Sequence, residues 1–384
     1  MQRRLQRRLL RRLLRRLLRH LHPLIAIFSK LQLFDAAIIG HEDHPGFLEL
    51  GASTWGLNRI GEDARDRTGS NAIIFILDTG VRCSHNDFGG RCASGADVSS
   101  GALVACNGNT NCAADRQGHG THCAATAGGT NYGVATAAQI RSDKVLNVQG
   151  PGSWSWSHQA LAWIATGSDR PAVASMSLGG PGVISGMRTA VNAAVGAGIT
   201  VVVAAGNENS ESCSFSPGYV PSAITVGSID NTDSRSSVSN YGPCTDIWAP
   251  GSSVVSASHR SNSGPTTLSG TSMACPHVSG AAALILGADN SKSPAKVFSD
   301  LLEMAVRNAI SGLRPGDTNA LVYVGAVGAA PAPANSAPAG AIAPPSNCYD
   351  YDRDCGYWAR QDYCSPSSIY YDWMQQNFCS SCNR

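Results

Sequence analysis

The stretch AIIFILDTG, residues 72–80, runs six apolar residues straight into Asp-Thr-Gly. An unbroken apolar run this short, ending in a turn signal, reads as a strand covered on both faces, the setting of a parallel sheet. Working outward, Ile140–Leu146, Ala172–Leu178, Thr200–Ala205 and Ala223–Ile229 are further strand candidates. Helical stretches alternate with them at Ser155–Thr166, Ser185–Val195, Ser272–Leu286 and Pro294–Ala305. Alternating strands and helices predict an α/β, three-layer fold with a mainly parallel central sheet and helices on both faces. Asp78 stands where the first strand ends, and strand ends are where such sheets place their sites.

Apolar residues make up 43% of the 384-residue chain and charged ones only 15%, which excludes a disordered or fibrous chain. The formal net charge of +2 hides an uneven distribution. Nine arginines lie within residues 1–22, and without that segment the charge falls to −7. Bulk charge therefore gives no case for nucleic acid. The Arg/Leu repeat of residues 1–22 has a period of four, so its apolar face winds around a helix axis. It reads either as low-complexity sequence or as a cationic membrane-surface helix. Of the 13 cysteines, five crowd into residues 348–382, a density that points to a disulfide-stapled module and an oxidising compartment. Residues 328–346 carry five prolines and no charge, the composition of a semi-extended linker.

Three polar residues sit at the ends of expected elements: Asp78, His119 in GHGTHCA (118–124), and Ser272 in GTSMACPHVSGAAAL (270–284). A serine hydroxyl is a weak nucleophile until a base takes its proton, and the base needs an acid to fix its tautomer. These residue types together are the minimum kit for acyl transfer. His119 and His122 also admit a metal-pair reading, with no third ligand nearby in sequence.

DTG at 78–80, GHGTHCA at 118–124, SLGG at 177–180, AAGN at 204–207 and GTSMACPHVSGAAAL at 270–284 resemble the subtilisin-type serine peptidases, most closely the proteinase K branch. The resemblance runs from about Gly51 to Gly325. It implies Ser272 as nucleophile, His119 as general base and then acid, and Asp78 as the residue that orients His119. Asn207 resembles the oxyanion-hole amide. Ser177, Leu178, Gly179 and Gly180 resemble the edge that binds a peptide backbone, with Gly150, Gly152 and Trp154 opposite. Ala204 and Gly206 resemble a wall of the primary specificity pocket. With no charge in these segments, a broad endopeptidase preferring apolar or aromatic residues is expected.

The resemblance further implies a bridge between Cys213 and Cys244, while the pairs Cys106/Cys112 and Cys83/Cys92 each flank a short loop. Cys123 matches a buried free thiol beneath the catalytic histidine, and Cys275 is also expected to be free. Asp246, with the carbonyls of Pro221 and Ala223, resembles a structural calcium site. No cofactor is expected for catalysis. Ser216–Pro217 aligns with a cis peptide. Residues 347–384 resemble a ShK-toxin-like module that lacks the last of its six cysteines, and residues 1–50 do not resemble a complete prodomain. The expected organisation is thus a basic segment at 1–50, a peptidase domain at 51–327, a linker at 328–346 and a cysteine-rich module at 347–384. The leading reading is a secreted, monomeric serine endopeptidase acting on polypeptides. The alternatives are a catalytically idle scaffold that binds an extracellular ligand through its C-terminal module, and a membrane-active protein driven by residues 1–22.

Overall fold

The computed structural model describes residues 54–325, together with the backbone of Leu33–Phe34. The basic segment, the linker and the cysteine-rich module expected from the sequence lie outside the described residues.

The centre is a ten-stranded sheet. In chain order its strands are β1 (Ile73–Asp78), β2 (Cys92–Asp97), β3 (Val104–Ala105), β4 (Gln139–Lys144), β5 (Ala172–Met176), β6 (Ile199–Ala204), β7 (Ile224–Ile229), β8 (Ile247–Pro250), β9 (Val306–Arg307) and β10 (Ala320–Leu321). Their spatial order is β9-β10-β8-β7-β6-β5-β1-β4-β2-β3. Only the outermost pairs, β9/β10 and β2/β3, are antiparallel. The helices that matter to the site are α1 (His119–Gly128), α2 (Trp154–Thr166), α3 (Ser185–Gly196), α4 (Thr271–Ala288) and α5 (Pro294–Met304).

Side chains of a strand alternate between faces, and β1 shows what that does here. Ile74 and Ile76 join a core built with α1, α4 and α5, including Ala124, Ala282, Leu284 and Leu301. Phe75 and Leu77 join a second core on the opposite face, with Leu161 and Ile164 of α2 and Val191 of α3. Helices on both faces explain why β1 carries no polar alternation.

The expected strands and helices are all present, with shifted ends. Three strands stop before the expected Leu146, Leu178 and Ala205. The backbone N–H groups of Val145 and Leu146 leave the ladder and donate to the carbonyl of Asp78. The chain peels away from the sheet at these C-terminal ends to build the site. Strand β2, CASGAD, was not expected, because it lacks an apolar run. It pairs through a register shift at Gly95, where a Cβ would come within 2.4 Å of Asp143 Oδ1.

Candidate active site

Asp78 ends β1 and His119 opens α1, 41 residues later. Their side chains meet in the interior, His119 Nδ1 lying 2.8 Å from Oδ1 and 2.9 Å from Oδ2 of Asp78. The close approach depends on glycine: a Cβ on Gly120 would come within 2.1 Å of the Gly80 carbonyl and 3.1 Å of the Asp78 Cβ. Burial disfavours the imidazolium, but the Asp78 carboxylate outweighs it and holds His119 well above the usual histidine range. With Nδ1–H donated to Asp78, Nε2 is the nitrogen left to handle a substrate proton.

Ser272 is the second residue of α4 and is 3% exposed, so its hydroxyl is set in the wall of the fold rather than on a mobile loop. The hydroxyl donates to the Ser177 carbonyl at 3.2 Å, while no described residue hydrogen-bonds His119 Nε2. Catalytic hydrogen bonds are often open before substrate binds. Pro276 explains a further contact. It lies four residues after Ser272 and has no N–H, so the Ser272 carbonyl lacks its usual helical partner. The Ser177 hydroxyl donates to that carbonyl at 2.8 Å, and the Cys123 thiol at 3.4 Å. Cys123 Sγ also lies 3.8 Å from His119 Nδ1.

Asn207 is held against the start of α4. Its Oδ1 accepts the Thr271 N–H at 2.8 Å and the Thr271 hydroxyl at 3.1 Å, which assigns its nitrogen as the donating end of the amide. A cleft beside it is lined by Leu178, Gly179, Ala204, Gly206, Asn207, Glu208, Thr271 and Ser272. It joins four of the expected substrate residues to Ser272. Gly206 has φ +105, and a Cβ there would lie 2.3 Å from Asn240 Nδ2. Glu208 and Thr271 were not anticipated. Glu208, at the rim, accepts a 2.7 Å hydrogen bond from Asn240 Nδ2. Its position one residue after Asn207 was the available signal.

Of the other expected cleft residues, Ser177 contacts Ser272 as described. Gly180 pairs with Ser216 in a short antiparallel ladder. Gly150 takes φ +106 in a turn, Gly152 forms a two-residue strand, and Trp154 begins α2 as part of the second core. His122 hydrogen-bonds the Val254 carbonyl at 3.0 Å through Nε2; burial holds it down to about 3.

Disulfides join Cys83 to Cys92, Cys106 to Cys112 and Cys213 to Cys244, while Cys123 and Cys275 are buried free thiols. Burial pushes Cys275 up to about 12, the mark of an inert thiol. The Ser216–Pro217 peptide is cis. Asp246 Oδ2 accepts the Thr225 N–H at 2.7 Å, and burial pushes this carboxyl up to about 7. That bond ties the carboxyl to the chain just after the Pro221–Ala223 segment. A buried carboxylate is a hard oxygen donor of the kind calcium takes.

A doubly wound sheet with a buried carboxylate–imidazole pair and a serine at a helix start defines a serine hydrolase site. The subtilase family model matches residues 69–327. The chain is 42% identical over 298 residues to the extracellular serine proteinase of Thermus sp. strain Rt41A, covering 75% of this chain and 70% of that protein. It is 39% identical over 291 residues to the cuticle-degrading serine protease of Arthrobotrys oligospora, covering 73% and 70%. Among solved structures it matches a cold-adapted subtilisin-like serine proteinase with a TM-score of 0.66 and 40% identity, covering 71% of this chain and 99% of the other. The chain belongs to the subtilase family and is a subtilisin-like serine protease.

Proposed function

We propose that this chain is a secreted endopeptidase of the proteinase K type that cleaves polypeptides through an acyl-enzyme on Ser272. The observation that carries this reading is the buried Asp78–His119 pair beside a serine that opens a helix at the head of the cleft. His119 Nε2 takes the Ser272 proton as the hydroxyl attacks the scissile carbonyl, and Asp78 stabilises the imidazolium that forms. The developing oxyanion meets Asn207 Nδ2 and the Ser272 N–H, at the positive end of α4. His119 then protonates the leaving amine, and water repeats the sequence to release the acyl group.

The apolar wall of Leu178, Ala204 and the cleft glycines supports a preference for apolar or aromatic residues before the scissile bond. Glu208 at the rim adds tolerance for basic ones. Asp246, with the carbonyls of Pro221 and Ala223, is the proposed holder of a structural calcium, which contributes charge compensation and no catalytic step. The Thermus relative named extracellular, together with three disulfides among the described residues, supports secretion. The cysteine spacing of residues 347–384 supports a ShK-toxin-like accessory module. The deciding experiment is labelling by a fluorophosphonate probe: Ser272 is modified in the folded protein and Ser272→Ala is not. A folded parent that stays unlabelled overturns this reading in favour of an idle scaffold.

A further inference from the structure

Asp115 is 7% exposed and accepts five hydrogen bonds. Its Oδ1 takes the Thr79 hydroxyl at 3.0 Å and the N–H groups of Gln117 and Gly118, both at 2.9 Å. Its Oδ2 takes the Thr121 N–H at 3.0 Å and the Thr121 hydroxyl at 2.6 Å. These donors come from two places that the site must hold together. Thr79 follows Asp78, and its own N–H donates to Asp78 Oδ1 at 2.7 Å. Gln117, Gly118 and Thr121 surround the first turn of α1, whose first residue is His119.

That turn has no side-chain cap of its own, because the capping position is Gly118. Orphan N–H groups of a first helical turn need acceptors from outside: Asp115 takes that of Thr121, and Gln117, whose own N–H Asp115 holds, takes that of His119 on its Oε1 at 2.8 Å. The link is closed by Thr79, whose hydroxyl oxygen accepts the Gly120 N–H at 2.9 Å while donating to Asp115. Its carbonyl accepts the Lys144 ammonium from the adjacent strand. Lys144 in turn faces the carboxylates of Asp115, Asp97 and Asp78.

We propose that Asp115 is a positioning residue of the catalytic machinery, acting through Thr79 on Asp78 and through the first turn of α1 on His119, so that one carboxylate sets the distance between the other carboxylate and the imidazole. The proposal rests on the serine peptidase reading for its kinetic readout. Its geometric readout does not, since the Asp78–His119 hydrogen bond is observable whether or not peptides are cleaved.

The test uses the full chain and the variants Asp115→Asn, Thr79→Val and Thr79→Ser. Asparagine is nearly isosteric but turns an NH2 toward a set of donors, so one side of the network fails. In folded Asp115→Asn, kcat on a chromogenic peptide is expected to fall about 10- to 100-fold with KM within about twofold, the scale of a misplaced catalytic group. The acid limb of the kcat/KM–pH profile shifts to lower pH, and the downfield proton resonance of His119 Nδ1–H moves upfield. Thr79→Val reproduces these changes and Thr79→Ser restores parental values, a pattern that general destabilisation does not give. An unchanged proton resonance and pH limb in folded Asp115→Asn overturn the proposal, as does equal behaviour of Thr79→Val and Thr79→Ser. If Asp115→Asn fails to fold, the contrast between the two Thr79 variants decides in its place. An unlabelled parent at Ser272 overturns the peptidase reading alone, and the proton resonance still decides the role of Asp115.

Discussion

The imidazole of His119 meets both carboxylate oxygens of Asp78, at 2.8 and 2.9 Å, with both residues sealed from solvent. This contact raises the histidine above its ordinary range, and its proposed role as general base needs the neutral ring. The kcat/KM of the enzyme should therefore rise with pH through a value above 6.5, giving an alkaline optimum. By linkage, the pair stabilises the fold fully below the unfolded histidine pKa and loses that contribution as pH rises through the folded one. Asp78→Asn should lower kcat by about 10³- to 10⁴-fold, the loss known for triad carboxylates. A pH–rate profile with an acid limb at or below about 6 would contradict the assignment.

Truncating Asn207 removes the proposed oxyanion donor together with the Oδ1 that accepts from Thr271, while the Gly206 N–H still donates to the Thr271 hydroxyl and keeps the neighbouring chain on α4. Asn207→Ala should reduce kcat about 10²- to 10³-fold with little change in KM, the magnitude established for the corresponding amide of subtilisin. Steady-state kinetics on a peptide anilide checks the split. A rise in KM with unchanged kcat would move Asn207 from transition-state to ground-state binding.

Asp246 predicts an unusual pH dependence of stability without calcium. Its folded carboxyl titrates at about 7 and an unfolded one near 3.8, so the folded state binds the extra proton between these values. Stability of the calcium-free protein should fall between about pH 4 and 7, by on the order of a few kcal/mol, and then level off. Calcium should flatten the curve by stabilising the carboxylate. Melting curves with and without chelator across this range measure it, and coincident curves would remove the calcium assignment.

Cys213 and Cys244 close a loop with a sequence separation of 31. In the chain-entropy model such a loop is worth about 3–4 kcal/mol. Replacing both cysteines by serine should lower the melting temperature by about 10 °C while leaving Ser272 reactive. Calorimetry and probe labelling read the two effects separately.

Glu208 stands at the rim of the cleft beside Asn240, exposed enough to meet a substrate side chain. Glu208→Gln should reduce cleavage after Lys and Arg several-fold and leave cleavage after Phe and Leu unchanged. The effect should shrink at high salt, as expected for a solvent-exposed charge. A peptide library profile distinguishes this from a purely apolar pocket.

The sheet was legible in the sequence because a parallel strand buried on both faces is mostly apolar, as AIIFIL is throughout, although Ile140–Leu146 carries Arg141, Ser142, Asp143 and Lys144. Strands such as CASGAD were not legible. Their place is set by neighbouring strands and by the room around Gly95, which local composition does not record. The triad types were readable from five ordered motifs, and the pairing of Cys213 with Cys244 from the same resemblance. The roles of Glu208, Asp115 and Pro276 were not.

The sequence by itself determined the class of fold and the family, and named the three cysteine pairs that the described residues form, since hydrophobic periodicity and residue chemistry are local properties. Only the tertiary structure decided the rest. It placed Asp78 against His119 across 41 residues, braced Asn207 on Thr271, and left the Ser272 carbonyl to Ser177 and Cys123 because Pro276 has no N–H to offer. Hydrogen bonds and charge shifts depend on small differences in distance between residues far apart in the chain, and packing alone sets those distances.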